Sequence, residues 1–282
     1  MIKREHLRAF VASMKIGWAI ESNWTKIPLY LLYAASRPLA LCLLLFFLFK
    51  VINPLPNTDP RFIAIYLGNA FFTIFGSMAS GLSWAIISDR EQYQLIRYIY
   101  ISPSPFVWTI FGRAITLLLI ALSNVVIILL IGWLGLHLPI GPRQIDWMLF
   151  FPSMALGLIA TGALGILFAG LLLVTARHSI LLAEGVGGVF LLICGVLYPT
   201  TYLPWYIRPL AWFNPITPWV ENMRRSFGIM NFDATLGAMS NWNLLLIQLA
   251  FTMAFVVIGF KAFNRFEQAA KRAGKIDQVT NY

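Results

Sequence analysis

The side chains in this 282-residue chain that could act as acids, bases, nucleophiles or metal ligands are few. The carboxylates are Glu5, Glu21, Asp59, Asp89, Glu91, Asp146, Glu184, Glu221, Asp233, Glu267 and Asp277, nearly all between apolar stretches; beside them stand His6, His137, His178, Cys42 and Cys194. Acid–base or nucleophilic chemistry needs a nucleophile, a base and an orienting group within mutual reach, and a metal site needs ligands at short, regular spacing. Neither pattern occurs. Each histidine lies beside a different apolar segment, and both cysteines sit inside apolar runs without CxxC spacing and read as small buried hydrophobes. No GxSxG is present, and the glycine-rich GVGG at 185–188 lacks the GxxxxGK[ST] that cradles nucleotide phosphates. The expectation is therefore no catalytic residues, no metal, no cofactor held by this chain, and no ATP hydrolysis by this chain alone.

The remaining chemistry is that of charge beside lipid. Hydrophobic residues make up 59% of the chain and charged residues 11%, against about 25% charged in soluble domains, and mean hydropathy is +0.76. Such a chain lacks the polar surface to face water all round. Apolar runs fall at about 27–52, 62–88, 105–136, 148–176, 179–198 and 242–263, each compatible with a membrane-spanning helix. The fifth is the shortest and carries Gly185, Gly187, Gly188 and Gly195, which predicts close approach of a neighbouring helix. The expected fold class is an all-α integral membrane protein: a cytosolic amphipathic interfacial helix at 1–26, a six-helix transmembrane domain at 27–263, and a cytosolic tail at 264–282. In the first segment, Leu7, Phe10, Val11, Met14 and Trp18 recur at helical spacing, with Arg4, Arg8 and Lys15 off that stripe, the pattern of a helix lying on anionic lipid. A plain cytosolic lead-in to the first span is the alternative.

Lys and Arg in the flanking loops set the orientation. With the N-terminus inside, Lys3, Arg4, Arg8, Lys15, Lys26, Arg90, Arg97, Arg177, Lys261, Arg265, Lys271, Arg272 and Lys275 are cytosolic, whereas Lys50, Arg61, Arg143, Arg208, Arg224 and Arg225 are outside. That imbalance predicts both termini in the cytosol of a cell (inner) membrane. It also accounts for most of the net charge of +10 without any nucleic-acid partner.

Two segments between spans stand out. In the loop 89–104, Asp89 and Glu91 are expected in the first turn of a helix that Pro103 ends, with Leu95, Ile96, Ile99 and Tyr100 forming an apolar stripe along the membrane. In 199–230, five prolines (199, 204, 209, 215, 218) and three tryptophans (205, 212, 219) preclude one continuous helix. Short helices that enter from the outer face and turn back fit this composition, as does an extracellular amphipathic loop.

DREQYQLIRYIYISPSP, through Glu91, Leu95, Ser102, Pro103 and Pro105, resembles the acidic turn, leucine-bearing helix and Ser-Pro end that follow the second span in the ABC-2-type permease family. Tyr93-Gln94 replaces the family's usual Gly-Thr. A second match runs through Tyr198-Pro199, Tyr202-Leu203-Pro204, Asn214-Pro215-Ile216-Thr217, Val220 and Arg224, similar to the family's proline-rich stretch between the fifth and sixth spans. The resemblance implies a dimer of permeases, homo or hetero, each gripped by a separate cytosolic ABC ATPase subunit (two copies) that binds ATP and Mg. It further implies that Asp89, Arg90, Glu91, Gln92, Tyr93, Gln94 and Leu95 dock the ATPase, together with the N-terminal helix, and that Pro199, Tyr202, Pro204, Asn214 and Pro215 belong to an outer gate.

Charges within the spans are costly, about 2.5 kcal/mol or more at the bilayer centre. Arg37 lies ten residues into the first span. Arg113 and Glu184 could pair across helices, with Arg177 a rival partner for Glu184, either as a static pair or as a cytosolic gate. Tyr66, Phe71, Phe72, Phe75 and Trp84 in the second span read mainly as packing residues, and otherwise as a wall for apolar cargo. The expected function is a multidrug-efflux type of exporter subunit for a hydrophobic or amphipathic molecule or peptide. Export of a lipid or lipid-linked glycan is the alternative, and an ATP-independent channel or secondary transporter is a further one.

Overall fold

A computed structural model describes residues 4–22, 25–53, 55–175, 179–230 and 232–276, without the side chains of Arg37 and Pro38. Every regular element among them is helical. In chain order these are α1 (Arg4–Ser22), α2 (Ile27–Ile52), α3 (Pro60–Ile87), α4 (Leu95–Ile101), α5 (Phe106–Leu130), α6 (Trp147–Val174), α7 (Ser179–Ile193), α8 (Arg208–Trp212), α9 (Ile216–Ser226), α10 (Ala234–Gly237) and α11 (Asn241–Arg272).

The helix starts follow from local chemistry. Asp59 accepts from Arg61 N ahead of Pro60 in the first turn of α3, Asp146 accepts from Met148 N and Leu149 N to open α6, and Ser240 accepts from Asn243 N to open α11. Each supplies an acceptor for amides that lack an intrahelical partner. Among the described residues four helices, α3, α5, α6 and α11, are long and apolar enough to cross a bilayer. The two halves of α2, Ile27–Ser36 and Leu39–Ile52, are bent by 44° and count as a fifth span if taken together. The expected six are not all reached by length and composition, because α7 has only 15 residues, about 22 Å against about 30 Å of hydrocarbon. At the other extreme α11 continues to Arg272, about two turns beyond the expected end at 263.

α3 is the central helix, in contact with α2, α5, α6, α7 and α9. Its Phe62, Tyr66, Phe71 and Phe75 pack with Trp219 and Val220 of α9 in one core, and its Leu82 and Ile86 join Ile96, Phe106, Ile110 and Phe263 in a second core near α4. Tyr66, Phe71, Phe72 and Phe75 are thus packing residues, whereas Trp84 is half-buried outside both cores. α6 and α11 run side by side in the same direction, close enough that a Cβ on Gly259 would lie 2.7 Å from the Ala163 carbonyl oxygen. Such close crossings need residues without side-chain bulk. Of the glycines in the fifth run, Gly187 faces α3, where a Cβ would lie 3.4 Å from Ser80 Oγ, an ordinary contact distance; Gly185 and Gly188 have open space where a Cβ would stand, and Gly195, beyond α7, forms a turn at φ +67.

Candidate functional site

At the α4 end of the bundle, the segment 88–92 departs from the expected helix start. It continues α3 as one wide π turn, Tyr93 closes that turn onto the Ser88 carbonyl, and Gln94 takes the left-handed conformation at φ 52 before α4 begins. Asp89 and Glu91 therefore sit at the C-terminal end of α3, where the helix dipole favours cations. Their placement is compensated by arginines. Asp89 is buried and paired with Arg113 of α5, both side chains 7% exposed. Arg90 is also buried: its Nε donates to Glu91 Oε1 at 3.0 Å, one Nη to the Leu172 carbonyl near the end of α6 at 3.2 Å, and the other to Ser179 Oγ at the start of α7 at 3.4 Å. Asp89 and Arg90, adjacent in the chain, so fasten α3 to α5, α6 and α7.

Of the residues expected to dock a partner, Asp89 and Arg90 are buried within the chain, whereas Gln92, Tyr93 and Gln94 are exposed and Leu95 is half-buried. Arg113 pairs with Asp89 and not with Glu184, because the extra turn of α3 carries Asp89 back over α5. Glu184 lies on the exposed side of α7 and accepts from Trp84 Nε1 at 2.9 Å. Arg177 lies outside the described residues. The stripe expected along the membrane packs instead against the bundle: Ile96, Ile99 and Tyr100 join the core formed with α5 and α11, Tyr100 stacked on Phe106, while Leu95 lines a groove beside α1.

α1 lies along α5 with its small residues inward. A Cβ on Gly112 would stand 2.5 Å from the Phe10 carbonyl oxygen, Ser13 Oγ donates to the Thr109 carbonyl at 2.7 Å, and Thr116 Oγ1 donates to the Met14 carbonyl at 3.0 Å. The face used is centred on Ser13 and Gly17, so the apolar stripe foreseen through Leu7, Val11 and Trp18 runs beside it. Between α1, α4 and α5 opens a groove of about 250 Å³, walled by Ala12, Ile16, Leu95, Tyr98 and Ile99, with Asp89 and Arg113 at its floor. Leu7, Tyr93, Tyr98 and Ile101 on the same end of the molecule are exposed.

At the opposite end, residues 199–230 form a short 3₁₀ turn at Thr200–Tyr202, then α8 and α9. Tyr202 and Pro204 are exposed, Pro199 is half-buried, and Asn214 and Pro215 are buried. Asn214 holds the α8–α9 corner: its Oδ1 accepts from Ile216 N and Thr217 N, and its Nδ2 donates to the Leu210 and Ala211 carbonyls. Every residue of α9 is buried, wedged among α3, α6 and α11. Trp219 lies directly over Gly157 of α6, where any Cβ would collide with the indole.

The polar residues of α9 and its surroundings were not singled out as a site in the sequence. Arg224 donates to the carbonyls of Ala64, Gly195 and Val196 and stacks over Phe232. Arg225 donates to the carbonyls of Leu236 and Met239 and to Asn241 Oδ1. Glu221 stands 3.5 Å from Arg224 and 3.7 Å from Arg225. Asn222 donates to Gln248 Oε1 of α11, and Gln248 Nε2 in turn to the Ser153 carbonyl of α6. The available signal was the spacing of Glu221 from the arginines at i+3 and i+4 and the lone Gln248 in an apolar run. Reading Arg224 and Arg225 as outer-loop cations hid it. Below α9, Asp233 accepts from Thr200 N and Oγ1, Thr235 N and Oγ1, and Leu236 N. Burial alone would raise its pKa, but these donors hold it below the usual carboxylate value.

Among the described residues, no group of three or more His, Cys, Asp or Glu side chains could hold a metal ion. What the geometry offers is a helical membrane body with a surface groove at one end and a buried polar wedge at the other. The family described as ABC-2 type transporter matches residues 11–228, which includes both ends. The chain belongs to the ABC-2 type transporter family. No curated protein matches it. As an ABC-2 permease it is a multi-pass membrane protein and a membrane transport component, and permeases of this family typically work with an ABC ATPase.

Proposed function

We propose that this ABC-2 permease is the transmembrane subunit of an exporter that moves a hydrophobic or amphipathic molecule, powered by ATP hydrolysed on a separate subunit. The observation that carries the reading is the groove between α1, α4 and α5, apolar at its rim and floored by the Asp89–Arg113 pair. A partner seated there would press on α4 and α1, and through residues 89–91 the load reaches α5, α6 and α7 at once. The groove and the exposed Tyr93 and Tyr98 therefore form the ATPase-docking surface, on the cytosolic side, with both termini inside the cell membrane. Two permeases and two ATPases make the working assembly. Six crossings follow if the bent α2 counts as one and α7 is completed by the turn after Ile193. Residues 199–230 then form a re-entrant outer gate: Gly157, under Trp219, lies ten residues along α6 from its start, about 15 Å in.

The test is co-purification with the cytosolic ABC ATPase encoded nearest to this chain, in wild type and in Tyr93→Ala/Tyr98→Ala. The expected result is stable capture by the wild type, at least tenfold weaker capture by the variant, and ATPase stimulation by apolar drug-like cargo above that by lipid or glycolipid. Undiminished capture by the variant rules out this docking surface, and stimulation by lipid-linked glycan alone reassigns the cargo.

A further inference from the structure

Where α9 meets α6 and α11, four buried polar atoms find no hydrogen-bond partner within the chain: Trp219 Nε1, Asn222 Oδ1, Ser153 Oγ and Thr252 Oγ1. Their residues are 0 to 1% exposed. Contacts between the three helices draw them together. Trp219 lies over Gly157, one turn along α6 from Ser153. Asn222 is one turn along α9 from Trp219 and bonds Gln248 at 2.8 Å, and Gln248 reaches the Ser153 backbone at 2.9 Å. Thr252 is one turn beyond Gln248 on the inward stripe of α11. Leaving all four unpaired in an apolar bundle would forfeit an amount comparable to the net stability of a whole domain. Their chemistry is complementary to a single kind of small ligand: an indole that only donates, an amide oxygen that only accepts, and two hydroxyls that do either.

We propose that this cluster is a buried hydration site, in which one or two water molecules join α9 to α6 and α11. Water accepts from Trp219 Nε1 and one hydroxyl, and donates to Asn222 Oδ1 and the other hydroxyl, which completes its usual two to four partners. Neither an ion nor an apolar tail satisfies both the lone donor and the lone acceptor. Because a water-mediated contact re-forms at shifted geometry, the site lets α9 slide without stranding its polar groups. That last consequence rests on the reading of α9 as part of an outer gate; the hydration itself does not.

Radiolytic hydroxyl-radical labelling of the intact chain in lipid nanodiscs tests the proposal, since ordered internal water generates radicals in place. Trp219 is expected to be oxidised, with slow uptake of label from ¹⁸O water, while Tyr66, equally buried and bonded to the Ile128 carbonyl, stays unmodified. As a second readout, Thr252→Val and Ser153→Ala each lower the apparent Tm by several degrees, since each removes a partner of the bound water. Trp219 as inert as Tyr66, or a Tm raised by Thr252→Val as a dry orphan predicts, overturns the site. Either readout is independent of whether the chain couples to an ATPase.

Discussion

Arg113→Leu removes the cation that compensates Asp89 and leaves an unpaired, largely buried carboxylate at the α3 end, its side chain 7% exposed. Breaking a buried pair by removing one partner costs about 3–5 kcal/mol, whereas replacing both partners by apolar residues is often neutral or better. At roughly 2 °C per kcal/mol for a chain of this size, the single variant should lose roughly 6–10 °C of apparent Tm. Asp89→Leu should lose a similar amount by stranding Arg113, and Asp89→Leu/Arg113→Leu should recover most of it. The coupling between the two sites is then at least about 2 kcal/mol, at the upper end of what direct partners show. The assay is thermal unfolding of the purified permease in lipid nanodiscs, followed by tryptophan fluorescence. A charge swap separates the observed partner from the one the sequence suggested: Asp89→Arg/Arg113→Asp should regain part of the loss, and Glu184→Arg/Arg113→Glu should not. Additive losses in the double variant, or rescue through position 184, would refute the reasoning that the π turn makes Asp89 the partner.

Three further outcomes follow from close contacts and one carboxylate. Gly157→Ala places a methyl group in the Trp219 indole, so α9 has to shift; overpacking of this kind costs about 1–3 kcal/mol, read as a lower Tm that Trp219→Phe partly relieves. Gly112→Ala sets a Cβ 2.5 Å from the Phe10 oxygen and 2.9 Å from the Met14 nitrogen, backbone atoms that cannot rotate away. The yield of an engineered Ser13→Cys/Thr109→Cys cross-link should therefore fall, while Gly162→Ala, with nothing within 4 Å, leaves it unchanged. Asp233, whose pKa is lowered in the folded chain, contributes stability fully present above its unfolded pKa of about 3.9 and lost as pH falls through the lower folded value. Unfolding scans between pH 6 and about pH 3 should show a steeper acid loss for wild type than for Asp233→Asn, and parallel curves would count against the hydrogen-bonded carboxylate.

Much of this architecture was legible because it is written in long-range composition. An apolar run of about 20 residues has few folded fates, and α3, α5, α6 and α11 fall where those runs lie. That α4 carries an apolar stripe was legible for the same reason, since spacing alone decides which side of a short helix is apolar, but its packing onto α5 and α11 instead of along the membrane was not. The two features that define the sites were not, and in both cases a local rule was outweighed by a tertiary one. Acidic residues ahead of an apolar helix normally mark its first turn, but here α3 runs on through Ser88–Gln92 because Arg90 finds the Leu172 carbonyl and Ser179, and Arg113 waits beneath Asp89. Arginines in a proline-broken segment normally mark a water-facing loop. In α9 they turn inward because the carbonyls of Ala64, Gly195, Val196, Leu236 and Met239 are offered to them from segments far apart in the chain. No spacing rule joins residue 64 to residue 224. The cation at each end of the bundle is thus the element that a one-dimensional reading misplaces, since its favoured surroundings are backbone oxygens that only the finished fold brings together.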